Sequence, residues 1–194
     1  KYLREFGWEP SVLVAENPSV PVFDESLLRD LPEDVRIVRA RTLEPGYAAK
    51  SALSAPSGPV RRWSPGRWVK SWVRGAASLA LQPDPQVLWL PAAYRHAMRL
   101  LKAQPHAAVV ATAPSYSNLL LGALLKRRTG LPLVLDYRDE WDLSSLYLEH
   151  SHKDDWSRTV QERMQRWILR QADAIVATTR RSTGAASTRC EAII

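Results

Sequence analysis

The chain has 194 residues, 45% of them apolar, a formal net charge of +7 and a single cysteine. That size and apolar share suffice for one sizeable α/β domain with a real core. They exclude an internal disulfide, because Cys190 has no partner in the chain, and a membrane-spanning helix, because no run of about 18 apolar residues occurs. A lone cysteine suits a reducing compartment.

The charge is unevenly placed. Residues 36–75 hold Arg36, Arg39, Arg41, Lys50, Arg61, Arg62, Arg67, Lys70 and Arg74 against Glu44 alone, so the whole positive excess lies there. A localised basic patch points to an anionic partner surface, phospholipid or nucleic acid.

In chain order, residues 1–6 read as the last turns of a helix ended by Gly7. Residues 10–15 (PSVLVA) form a strand-type run. Residues 24–31 suit a short helix capped by Asp24 and followed by Pro32. Residues 35–40 alternate Val, Ile and Val with Arg and predict a second strand. Residues 41–66, with Pro45, Pro56, Pro59 and Pro65, read as a loop whose length suggests a functional segment. A basic amphipathic helix is expected over 67–81, broken by Pro83-Asp84-Pro85, and another helix over 92–103.

Further strands are expected at 107–112 (AAVVAT), 133–137 and 174–178 (AIVAT). Between them lie a polar turn, TAPSYSN over 112–118, and a helix over 119–128 stopped by Gly130. A helix over 155–171 places Trp156, Val160, Met164, Trp167 and Ile168 on one apolar stripe. Alternating strands and helices, with short apolar strands buried on both faces, predict a doubly wound, mostly parallel, Rossmann-like α/β sheet. The last residues, 180–194, have a poor helical pattern.

In such a sheet ligands bind beyond the carboxyl ends of the strands, which singles out three segments. In AVVATAPSYSNLLLGALL a strand, a Ser-rich turn and a helix start follow one another. Free N–H groups and the helix dipole there favour an anion or sugar hydroxyls, with Ser115 and Ser117 as added donors. Alternatively, either serine simply caps the helix. In PLVLDYRDEWDLSS the strand ends in Asp136, Tyr137, Arg138 and Asp139. Arg138 and Asp139 are candidates to bind hydroxyls or phosphates, against a surface ion pair as the plain alternative, while Trp141 reads as core. In VRRWSPGRWVKSWVRG, Trp63, Trp68 and Trp72 are interleaved with Arg61, Arg62, Arg67, Lys70 and Arg74. That is the composition of a membrane-surface helix. It also suits single-stranded nucleic acid or a helix packed on its own domain with a solvated basic face.

No metal site is expected. His150 and His152 lack a third ligand, and the other histidines, His96 and His106, stand apart. The P-loop, G-x-G-x-x-G and G-x-S-x-G signatures are absent, so ATPase, dehydrogenase and hydrolase readings lack their motifs.

The succession GWEPSVLVA, PDPQVLWLPAA, VVATAPSYSNLLLGALLKRRTGLPLVLDYRDEW and QADAIVATT resembles the N-terminal, acceptor-side domain of GT-B glycosyltransferases of family 4. The likeness runs over residues 1–179, and its most specific part is D-x-R-D-x-W at 136–141. It implies one Rossmann-like half of a two-domain, retaining enzyme that moves a sugar from a nucleotide-sugar to a cell-surface polysaccharide or lipid-linked acceptor, without a metal or other cofactor. Residues 41–82 would be a basic insertion in this half. Many relatives carry a histidine near the position of Arg138; here the pair is Arg138-Asp139, either of which would contact the donor sugar as the catalytic residue. Ser115, Tyr116, Ser117, Asp136 and Tyr137 would line the acceptor side. The resemblance also leads one to expect a further strand and Gly-rich loop before Lys1 and a donor-binding domain after Ile194, so that the chain alone would be inactive. Arg61, Arg62, Arg67, Trp68, Lys70, Trp72 and Arg74 would dock the enzyme to the cytoplasmic face of an anionic membrane, with nucleic acid a poor second. A different class of function is a non-catalytic module that binds a glycan or a protein.

Overall fold

The computed structural model describes residues 2–20, 34–46, 81–138 and 155–177, together with Asp24, Ser26 and Pro32. The expected helix over 67–81, save Leu81, most of the helix over 24–31 and residues 178–194 lie outside the described residues, as do residues 47–66 of the expected loop.

Five strands are described, all parallel to their neighbours. β1 (Ser11–Ala15) pairs with β2 (Arg36–Ala40) in register Ser11↔Arg36. β3 (Val109–Thr112), β4 (Leu133–Tyr137) and β5 (Ala174–Ala177) form a second sheet in that order, with Val109↔Leu133 and Val134↔Ala174 in register. Three helices complete the described fold: α1 (Leu90–Ala103), α2 (Tyr116–Thr129) and α3 (Asp155–Leu169). The parallel, Rossmann-like α/β class read from the sequence is the class the chain has. Strand runs are legible because they are short apolar stretches or, in β2, apolar residues alternating with Arg.

The β4 pleat turns Leu133, Leu135 and Tyr137 to one face, where all three are buried. They meet Ala111, Leu119, Ala123 and Tyr116 from the β3–α2 unit and Ile168 and Leu169 from α3 in one apolar cluster. A second cluster joins Trp89, Ala93 and Ala97 of the α1 region to Ala40, Leu121 and Leu125, with Leu13, Ala15 and Val109 packed against it. Both sheets therefore share the layer made by α1 and α2. α2 lies so close to the sheet that a Cβ on Gly122 would stand 2.9 Å from both Ala111 Cβ and Leu133 Cδ1. The helix ends where Gly130 adopts φ 75°, its N–H bonded to Lys126 O at 2.8 Å. Lys126 then pairs with Asp173 at 2.7 Å, and Asp173 accepts the Leu133 N–H, joining α2, β4 and the start of β5.

Several expectations need correction. Strands buried on both faces are not what the second sheet shows: Val110 is 66% and Val176 53% exposed, on the face opposite the cluster. Trp156 is exposed rather than part of the α3 stripe, which Met164, Trp167 and Ile168 do form. The first residues make a 3-10 turn, Leu3–Phe6, instead of an α-helical end, and Gly7 closes it at φ 78°. α2 begins at Tyr116, so residues 116–118 of the expected polar turn are helical.

Candidate functional site

Parallel pairing brings the ends of β3 and β4 to one edge, with Thr112 opposite Asp136. Thr112 and Asp136 share the exposed face of the pleat, where the Thr112 hydroxyl donates to Asp136 Oδ2 at 2.9 Å. The backbone is fastened at the same level: Ala113 N–H donates to Asp136 O at 2.9 Å. Asn118 reaches back with Nδ2 to Thr112 O at 3.4 Å. Arg138, exposed, follows directly beyond β4. Thr112, Asp136 and Arg138 thus form a polar rim at the carboxyl edge, where ligands of parallel α/β sheets bind.

Not every sequence candidate faces that rim. Tyr116 and Tyr137 are buried, their rings inside the apolar cluster, because Tyr137 lies on the covered face of β4 and Tyr116 at the first turn of α2. Ser117 is 1% exposed, and its hydroxyl donates to Asp84 Oδ1 at 2.5 Å. Ser115 occupies the N-cap position of α2 but makes no capping bond, and its hydroxyl is buried. So neither of the two sequence readings of these serines, ligand donor or local cap, describes Ser117. Asp139 lies outside the described residues, as do Arg61, Arg62, Arg67, Trp68, Lys70, Trp72 and Arg74.

The residue that sequence reasoning passed over is Asp84. It had been read only as part of a helix-breaking Pro-Asp-Pro. In the fold its carboxylate accepts the Ser117 N–H at 3.1 Å and the Ser117 hydroxyl. It caps α2 in place of Ser115, from 33 residues upstream. Burial pushes its carboxyl above the ordinary aspartate value, and these donors pull the other way with less effect. The same segment is anchored twice more. Trp89 Nε1–H donates to Ala40 O at 2.9 Å, and Gln161 Nε2 of α3 donates to Gln82 Oε1 and Pro83 O at 2.6 and 3.2 Å.

A shallow depression lined by Arg4, Gly7, Trp8, Glu9 and Asp34 lies before β1 and β2, at the amino ends of the strands. It is filled by the Arg4 ion pairs to Glu9 at 2.5 Å and to Asp34 at 2.7 Å, and the bond from Arg4 holds the Asp34 carboxyl below its usual range. It belongs to the wrong edge for a ligand site. Among the described residues no group of three metal-ligating side chains occurs, and no helix is long and apolar enough to cross a membrane.

No curated protein and no solved structure matches the chain. The pattern of the glycosyl transferase 4-like domain matches residues 1–188. With that match spanning nearly the whole sequence over a parallel α/β fold, the chain belongs to the glycosyl transferase 4-like domain family, and its function is of the glycosyltransferase type.

Proposed function

We propose that these residues are the acceptor-binding half of a retaining glycosyltransferase of GT-B architecture. The enzyme moves a hexose from a nucleotide-sugar to a cell-surface polysaccharide or lipid-linked acceptor. The observation that carries this reading is the family match over residues 1–188, supported by a polar rim of Thr112, Asp136 and Arg138 at the edge where such sheets take ligands. In this reading Asp136 and Thr112 meet acceptor hydroxyls, and Arg138, with Asp139, approaches the donor sugar that a second Rossmann-like domain holds. The roles need a charge-assisted donor and carboxylate acceptors at fixed positions, and the Thr112–Asp136 bond fixes one of them. No metal enters the proposed chemistry. The basic segment with Arg61, Arg62, Arg67, Trp68, Lys70, Trp72 and Arg74 holds the enzyme peripherally on the cytoplasmic face of an anionic membrane, a reading carried by the sequence alone.

The test is transfer from UDP- and GDP-linked hexoses to membrane lipid extract by an enzyme containing this half. Loss of one charge-assisted contact should lower kcat/KM for Arg138→Ala about tenfold to a hundredfold, with the fold intact. Unchanged turnover in that variant would remove Arg138 from the reaction.

A further inference from the structure

Between Asp84 and Asp136 the chain carries no acid, yet it carries Arg95, Arg99, Lys102, Lys126, Arg127 and Arg128. The acids that offset these cations in the net charge lie before and after the stretch. Lys126 is paired with Asp173, and the other five have no carboxylate partner among the described residues. On α1 they form a row. Ala93, Ala97 and Leu100 are its buried residues, and every exposed position except Pro91 and Ala103 is a cation: Arg95, Arg99 and Lys102. Spacings of four and three residues keep the three on one face over about 10 Å. Like charges four residues apart destabilise a helix, and the helix dipole favours cations in the last turn alone. The Arg95–Arg99 pair therefore costs α1 stability that nothing local returns. α1 packs against α2, whose last turn adds Arg127 and Arg128, both exposed. α3 differs, because Glu162 lies between Arg158 and Arg163 and pairs with Arg166.

We propose that the outer row of α1, Arg95, Arg99 and Lys102, continued by Arg127 and Arg128, docks on an anionic phospholipid bilayer. The row presents charge with no exposed ring on which a base could stack, which suits a broad field of lipid headgroups better than a single-stranded nucleic acid. The inference rests on the membrane reading above for its partner, and adds to it a surface and an orientation. α1 begins beside Trp89, whose Nε1–H bonds Ala40 O at the carboxyl end of β2. It ends at Gln104, which donates to Ser11 Oγ at 3.0 Å and accepts from Arg36 at 2.6 Å, at the amino ends of β1 and β2. The row thus runs from one edge of the sheet to the other. With α1 along the bilayer the strands lie nearly parallel to it. The rim of Thr112, Asp136 and Arg138 then opens sideways over the headgroups, where a lipid-linked acceptor carries its sugar.

The experiment is vesicle co-sedimentation of the 194-residue chain. The native chain binds vesicles of equimolar phosphatidylglycerol and phosphatidylcholine, ignores phosphatidylcholine alone, and is released by high salt. Arg95→Gln with Arg99→Gln keeps helix propensity and relieves the repulsion, so this pair melts no lower than the native chain. It binds the anionic vesicles at least about tenfold more weakly. Arg158→Gln with Arg163→Gln removes the same charge from α3 and weakens binding about twofold at most. Native-like binding by the α1 pair, an equal loss from the α3 pair, or a native chain that shifts single-stranded RNA but ignores anionic vesicles would overturn the proposal. Should the α1 pair fail to fold, Arg127→Gln with Arg128→Gln decides in its place: a loss of about tenfold supports the proposal and native-like binding overturns it. Loss on replacing Arg67, Lys70 and Arg74, with the α1 pair binding like the native chain, keeps the earlier docking segment and removes this surface; the reverse keeps this surface. No turnover is read, so the transferase reading stands or fails separately.

Discussion

At the residue scale, two aspartates carry opposite pH signatures. Asp84 has a folded-state carboxyl raised by burial. Between the ordinary aspartate value and that raised value the unfolded chain releases the proton first, so this group's contribution to stability falls as pH rises. Asp173 is lowered by Lys126 and by the Leu133 N–H. Its contribution is present above the ordinary aspartate value and is lost as pH falls through the lowered one. Urea midpoints measured from about pH 3 to pH 7 should therefore show a flatter acid-side rise for Asp173→Asn and a less negative slope above about pH 4 for Asp84→Asn. Identical curves for the native chain and Asp84→Asn would contradict the burial of that charge. Ser117→Ala strips one donor from the buried carboxylate and should cost about 1–3 kcal/mol at neutral pH, measured by the same unfolding.

At the scale of elements, the contact of α2 with the sheet is the tightest test. An alanine at Gly122 gains helix propensity of about 1 kcal/mol but drives its Cβ against Ala111 Cβ and Leu133 Cδ1. Neither neighbour is the free end of a long chain, so the overpacking wins and Gly122→Ala should destabilise by about 1–2 kcal/mol in denaturant unfolding. Gly130→Ala, forced to φ 75°, should cost about 1–2 kcal/mol by the same measurement. The elements show where the sequence was legible. All five described strands were found because apolar runs, and in β2 the alternation of apolar residues with Arg, are local signals. The start of α2 was placed three residues late because its cap is not local: Asp84 and Ser117 are joined only by the fold. Tyr116 and Tyr137 were expected on the acceptor side from the family resemblance, and only the pleat and register put their rings on the covered face. The rim formed by Thr112 and Asp136 was half legible, since Asp136 ends a visible strand while its partner depends on strand order.

At the scale of the whole molecule, charge and edge divide the work. In the proposed reading the basic excess over residues 36–75 meets an anionic surface. Binding to anionic vesicles should fall at high salt and on charge reversal at Arg67, Lys70 and Arg74, read by vesicle co-sedimentation. Equal binding to neutral vesicles would contradict it. In the proposed reading the rim of Thr112, Asp136 and Arg138 meets the sugar. The most direct measurement is amide shift mapping of the 194-residue chain against neutral bacterial oligosaccharides and, separately, UDP- and GDP-hexoses. The account predicts shifts at residues 112–118 and 136–138 with an oligosaccharide and none with the nucleotide-sugars. Nucleotide-sugar shifts at that rim, or turnover of a nucleotide-sugar by this chain alone, would contradict it.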